Sequence, residues 1–281
     1  MALSDAPVRS TAEESTRRAE LGGLDVLTWP LFEGTALRAL VTTRHGGVSR
    51  GPFGSLNLAL HVGDDDEAVV ENRRRALGAL GGRLEELVVA EQVHGTTVTV
   101  VASEAAGRGS RSLLDAVPGT DALVTHGPGL TLAVLVADCA PVVLFDPHAA
   151  VVGCAHAGWR GALGGVIEAT IEAMGSLGAR PERLLVGVGP AIAGQRYEVG
   201  DEVADAARRH LGPHPRCLSA DSGGRWRLDL AGALTTILTR AGVPGSQVAV
   251  ADDDTGPKTP FFSARAAQPC GRFGLLARIE P

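Results

Sequence analysis

One thiol and two imidazoles stand out as side chains that could act together on a substrate. Cys139 follows an aspartate at the end of an apolar run, in ADCAPVVLFDP (137–147). His156 comes seventeen residues later, in AHAGWRG (155–161), and His94 lies in EQVHG (91–95). A thiolate and two neutral imidazoles suit Zn²⁺, and three protein donors leave a fourth position open, as a catalytic zinc requires. Spacing alone leaves a plainer reading open, with Cys139 and His156 as core residues and His94 as a surface-loop histidine. A third reading pairs Cys139 as nucleophile with His156 as base, without a metal. The surroundings of His156 favour a site. Gly158, Trp159, Arg160 and Gly161 form an irregular entrance to a helix. Glycines there permit close backbone approach, and the free N–H groups of a helix start favour an anion beside Arg160.

Other polar residues are weighed against ordinary roles. Asp138, beside Cys139, could orient a ligand, act as a base or cap a strand end. Arg44, in TTRHGG, and Arg265, in FFSAR, sit in turns; exposed arginines are usually solvated, but an arginine beside glycines can cradle an oxyanion or phosphate. Cys154 shares a strand face with His156 and reads as a small buried apolar residue. Cys217 and Cys270 have no partner signal, and Tyr197, the only tyrosine, reads as a packing residue.

The elements that must position these residues follow from pattern. DALVT (121–125), LTLAVLVAD (130–138), VVLFD (142–146) and AVVGCAHA (150–157) are short, β-branched and bounded by Gly, Pro or Asp, as strands are. Their nearly unbroken hydrophobicity predicts a sheet covered on both faces. A tight turn at 147–149 would make the strands on either side neighbours and bring Cys139 and His156 to one end of the sheet. Strands are also predicted in 37–47, where the strand enters a Gly-rich turn, on both sides of a corner at His94–Gly95, and at 184–192, 248–252 and 271–279. Helices are predicted over 66–82, 161–178, 197–210 and from an Asp229 cap to Arg240, with a surface loop at 107–118. Strands in direct succession, interleaved with helices, indicate an α/β fold with a mixed-sheet sandwich.

Composition narrows the class. The 281 residues are 44% apolar and 21% charged, enough for one large soluble domain. We expect a flexible N-terminal tail at 1–23 and a single catalytic domain at 24–281. A net charge of −6 argues against nucleic-acid binding. No apolar run approaches the roughly 20 residues of a membrane helix, and the N-terminus lacks the apolar core of a secretory signal. Four dispersed cysteines fit reduced thiols in a cytoplasmic protein.

Taken together the blocks resemble one family. TTRHGGVS (42–49), SLNLALHVGDD (55–65), VENRR (70–74), EQVHG, TDALVT (120–125), ADCAPVVLFDP, AHAGWRG, GPAI (189–192) with YEVG (197–200), and FFSAR with GR (261–265, 271–272) are similar, in order, to the YfiH family. That family was long labelled laccase-domain or multicopper polyphenol oxidase and is now described as purine nucleoside phosphorylases. The resemblance implies a layered α-β-β-α sandwich and a zinc site of His94, Cys139 and His156. It also implies phosphorolysis of adenosine, inosine and methylthioadenosine by inorganic phosphate, with adenosine deamination as a second reaction. For such a reaction we expect Arg44 and Arg160 to bind the anion, and Arg265 to join them in binding substrate or phosphate.

The chain departs from the family in places. Gln195–Arg196 and Asp252–Asp253–Asp254–Thr255 stand where many members carry cysteines, and FFSARAAQ replaces FFSYRRDG. These departures bear on substrate contacts near the C-terminus and leave the triad intact. Zinc deaminases pair the metal with a glutamate in H-x-E, which is absent here. A copper oxidase fits less well than a zinc enzyme: one Cys with two His can hold type-1 copper, but no two of the eight histidines are separated by a single residue, and the only methionines are Met1 and Met174. The open fourth position argues against a purely zinc-stabilised binding protein.

Overall fold

The computed structural model describes residues 15–221 and 223–280. Two six-stranded mixed sheets face each other. The first runs β1 (Arg17–Leu21), β2 (Leu24–Thr28), β3 (Leu37–Thr42), β15 (Phe273–Ile279), β7 (Thr131–Val136), β4 (Leu87–Val89). The second runs β14 (Val248–Val250), β10 (Leu185–Val188), β8 (Ala140–Asp146), β9 (Val151–Ala157), β6 (Ala122–Thr125), β5 (Val98–Val100). A small antiparallel sheet joins β11 (Glu198–Val199), β13 (Trp226–Leu228) and β12 (Leu218–Ala220). Helix α1 (Asp66–Leu80) covers the first sheet. Helices α2 (Trp159–Gly164), α3 (Val166–Gly175), α4 (Asp201–Leu211) and α5 (Leu230–Arg240) lie on the side of the second.

Period-2 alternation sorts the strand residues into separate cores. Val143, Phe145, Val152 and Cys154 point between the sheets and meet Val134, Phe273 and Leu275. Their neighbours Val142, Leu144, Val151 and Ala155 pack instead against Ile167, Met174 and Leu234 of the helices. On the first sheet Leu40, Leu135 and Leu276 meet Ala76, Leu77 and Leu80 of α1. The layers are therefore α-β-β-α.

Three expectations about elements are corrected. The predicted helix over 161–178 is two helices, because Gly165 takes φ 104 and breaks the run. The helix predicted over 197–210 starts only at Asp201, since Glu198 and Val199 pair with Arg227 and Trp226. Ordered structure begins before residue 24: Arg17–Leu21 pairs antiparallel with β2. Residues 1–14 of the expected tail lie outside the described residues.

The connections decide where chemistry can sit. β7 belongs to the first sheet and β8 to the second, so the link through Asp138 and Cys139 crosses between sheets. β4 and β5 are likewise in different sheets, and the link between them carries His94. β4 runs parallel to β7, so both crossovers leave the first sheet at the same end. The β8–β9 hairpin returns His156 to that end: Ala140 pairs with Ala157 and Pro141 with His156. Its turn is held by the buried Asp146, whose Oδ1 accepts the N–H of His148 at 2.8 Å and of Ala149 at 3.1 Å. A one-residue slip of this register would turn His156 to the other face.

Candidate metal centre

The structure brings His94, Cys139 and His156 together. One donor atom from each lies within 4.8 Å of the others, and among the described residues this is the one such His/Cys/Asp/Glu group. The two imidazoles meet edge-on, with centroids 4.7 Å apart. His156 is buried, Cys139 is half-buried and His94 is exposed, so the cluster opens to solvent on the His94 side.

A residue missed in the sequence organises the cluster. Asp121, buried at the head of β6, takes His156 Nδ1 at 2.8 Å on Oδ1. The same carboxylate accepts three consecutive backbone N–H groups, from Val93 (3.2 Å), His94 (2.9 Å) and Gly95 (2.6 Å). One side chain thus fixes both imidazoles: His156 directly, with Nε2 left for a ligand, and His94 through its backbone at φ 62. Gln92 anchors the same corner, its amide exchanging hydrogen bonds with the backbone of Leu135.

Glycine makes room for the thiol. A Cβ on Gly158 would stand 2.8 Å from Cys139 Sγ and 3.3 Å from His94 Cδ2, so a side chain there would invade the cluster. The soft and borderline donors, the carboxylate behind one imidazole and this cradle fit a metal ion.

The electrostatics agree. Burial opposes the Cys139 thiolate, but hydrogen bonds and charge from His156 and His94 outweigh it and lower the pKa to about 6. Burial likewise opposes a cationic His156, but Asp121 and Cys139 raise its pKa to about 9. Asp121 is itself disfavoured by burial, yet the bonds from His156 and from the backbone of Gly95 and His94 hold its carboxyl below the usual range.

The other sequence candidates fall around this centre in different ways. Asp138 adopts φ 92, and both its oxygens are taken: Oδ1 by the Thr255 hydroxyl at 2.7 Å and Oδ2 by the Arg265 N–H at 2.7 Å. It ties the C-terminal loop to the crossover. Arg265 crosses the Tyr197 ring at 5.4 Å and donates to Glu198 O. Arg160 is exposed, stacks on Trp159 at 4.3 Å and pairs with Glu202 only at 3.8 Å. α2 is only six residues long, so the positive feature near Gly158 is Arg160 itself. Arg44 follows β3 at the same end of the first sheet, but its Nε and Nη2 both donate to Gly54 O and its plane lies over Phe262. Cys154 sits in the inter-sheet core, where burial pushes its pKa well up. All four cysteines are free thiols.

Beside Cys139 a cleft of roughly 530 Å³ opens, lined by Asp138, Ile192, Tyr197 and the 264–268 segment. Tyr197 is thus a second residue that the sequence reading undervalued. Its only mark in the sequence was its place in the YEVG block.

Comparison with known proteins matches this architecture. Residues 38–280 match the family model described as multi-copper polyphenol oxidoreductase laccase, and the chain belongs to that family. The purine nucleoside phosphorylase YlmD of Geobacillus stearothermophilus is 42% identical over 239 residues, covering 84% of this chain and 86% of that one. The crystal structure of YlmD from the same organism superimposes with a TM-score of 0.90 at 38% identity, over 96% of this chain and 100% of that chain. The adenosine deaminase RL5, from an unknown prokaryotic organism, is 34% identical over 82% of this chain and 88% of its own length.

Proposed function

We propose that this protein is a zinc-dependent purine nucleoside phosphorylase that also deaminates adenosine. The observation that carries this reading is the open His94–Cys139–His156 cluster, backed by Asp121, in a chain 42% identical to a purine nucleoside phosphorylase. Zinc held by these three residues would supply Lewis acidity and a bound water of pKa near 7. His94, Cys139 and His156 hold the ion, and Asp121 orients both imidazoles. Arg160, weakly paired, binds phosphate, joined by the part of the Arg44 guanidinium that Gly54 leaves unused. Asp138 positions Arg265 and the loop behind it. The substrates are purine nucleosides and inorganic phosphate.

Copper is a weaker fit, because a multicopper oxidase needs several clusters and the described residues provide one. The adenosine deaminase relative supports the second activity. No helix among the described residues is long and apolar enough to cross a membrane. The free thiols agree with a reducing, cytoplasmic setting.

The test is adenosine incubated with and without phosphate. Phosphorolysis gives adenine and ribose 1-phosphate only when phosphate is present, and deamination gives inosine in both samples. Neither product from the zinc-loaded protein would defeat the proposal.

A further inference from the structure

The cleft beside Cys139 has two kinds of wall. Ile192, Ala264, Ala266 and Ala267 give it a small aliphatic side, while Asp138, Tyr197, Arg265 and Gln268 supply the polar atoms; the Arg265 guanidinium already donates to Glu198 O and lies over the Tyr197 ring. A flat heteroaromatic base matches such a slot, with apolar faces and a few polar edge atoms. Of the polar groups, the Asp138 carboxylate is already occupied by Thr255 and Arg265. Tyr197 is not. Its backbone N–H is bound to Gly194 O and its carbonyl accepts from Leu228, but no residue among those described hydrogen-bonds its hydroxyl. The Arg265 guanidinium lies over the Tyr197 ring, and both residues line the cleft.

We propose that this cleft is the purine subsite and that the Tyr197 hydroxyl donates a hydrogen bond to the leaving base as the glycosidic bond breaks. This rests on the phosphorylase reading above. As C1′–N9 breaks, its electron pair stays on the purine while a phosphate oxygen forms the new bond to C1′. The Tyr197 donor stabilises the negative charge that gathers on the base. The proton that the free base finally carries comes from hydrogenphosphate, which leaves as the ribose 1-phosphate dianion. Tyr197 remains a phenol throughout. Burial, with the charges of Cys139 and Asp138, pushes its pKa up to about 12 against the opposing pull of Arg265 and Arg160, so it keeps its proton at neutral pH.

The test is Tyr197→Phe, which keeps the ring under Arg265 and removes only the donor. Zinc content and steady-state kinetics are compared with wild type on inosine and on 7-methylinosine, whose purine carries a positive charge and leaves without a donor. With inosine and phosphate, kcat should fall about 10²-fold, the scale of losing one charge-stabilising donor, with KM nearly unchanged. With 7-methylinosine the two proteins should be nearly equal, and both should hold equal zinc. Equal losses on both substrates, or no loss on inosine, would overturn the proposal while leaving the phosphorylase reading standing. A zinc-loaded wild type that releases no hypoxanthine with phosphate would instead defeat that reading and the proposal with it.

Discussion

Two cysteines fifteen residues apart, one just before the β8–β9 hairpin and one within it, have opposite fates. Cys139 sits on a crossover between sheets, where two histidines outweigh burial and lower its pKa to about 6. Cys154 lies in the middle of β9, between the sheets, where burial acts alone and raises its pKa. The difference is not in the residue but in what the fold places opposite it. Cys154 faces aliphatic side chains such as Val143 and Leu123, its partners in register on the neighbouring strands. Cys139 faces the end of the sandwich, where the two crossovers and the β8–β9 hairpin converge. Strand ends collect reactive groups because only there can residues from different sheets meet without filling the core.

The largest expected separation is in activity. Cys139→Ala should bring phosphate-dependent purine release down to background. Cys154→Ala should stay active and lose only about 1 kcal/mol of stability, the lower end for a small buried truncation, in a denaturant melt. An inactive Cys154→Ala of normal stability would break the contrast. Alkylation is the next contrast. In zinc-stripped protein, iodoacetamide at pH 7 should label Cys139, because its thiol is mostly ionised above pH about 6, and leave Cys154 unlabelled. Peptide mapping reads this out, and equal labelling would mean that the hairpin does not set thiol chemistry.

A smaller effect tests how the cluster is held. Asp121→Asn keeps the size but weakens the grip on His156 Nδ1 and on the 93–95 backbone. Zinc affinity, measured by chelator competition, should fall about 10–100-fold. An unchanged affinity would reduce Asp121 to a packing residue. The smallest effect is graded. A zinc ion held by this cluster would have to displace the His156 proton below pH about 9 and the Cys139 proton as well below about 6. Affinity should therefore rise about tenfold per pH unit between 6 and 9, and more steeply below 6. An affinity that is flat from pH 6 to 9 would show that His156 is not a titrating ligand.

Much of this arrangement was legible in the sequence. The donors were readable from residue type, and the Pro147–Ala149 turn predicted their meeting, which the 140–157 pairing bears out. The near-continuous apolar strands revealed two covered faces. Other features were hidden for physical reasons. Asp121 reads as the cap of an apolar strand, and its role appears only when β6 pairs with β9, more than thirty residues away. Strand β1, RRAEL, is an almost fully exposed edge strand, so no buried face marks it in the sequence. The break at Gly165 was signalled by a glycine pair inside an otherwise strong helical pattern, and the backbone freedom of glycine overrode that periodicity. Arg44 illustrates the reverse: a turn arginine next to glycines looks like an anion cradle, yet most of its reach goes to the Gly54 carbonyl.

The most direct measurement is zinc per chain, by elemental analysis of dialysed wild type, Cys139→Ala and Cys154→Ala proteins. One equivalent in wild type and in Cys154→Ala, with none in Cys139→Ala, is the expected result. A full equivalent retained by Cys139→Ala, or none bound by wild type, would contradict a metal centre built from His94, Cys139 and His156.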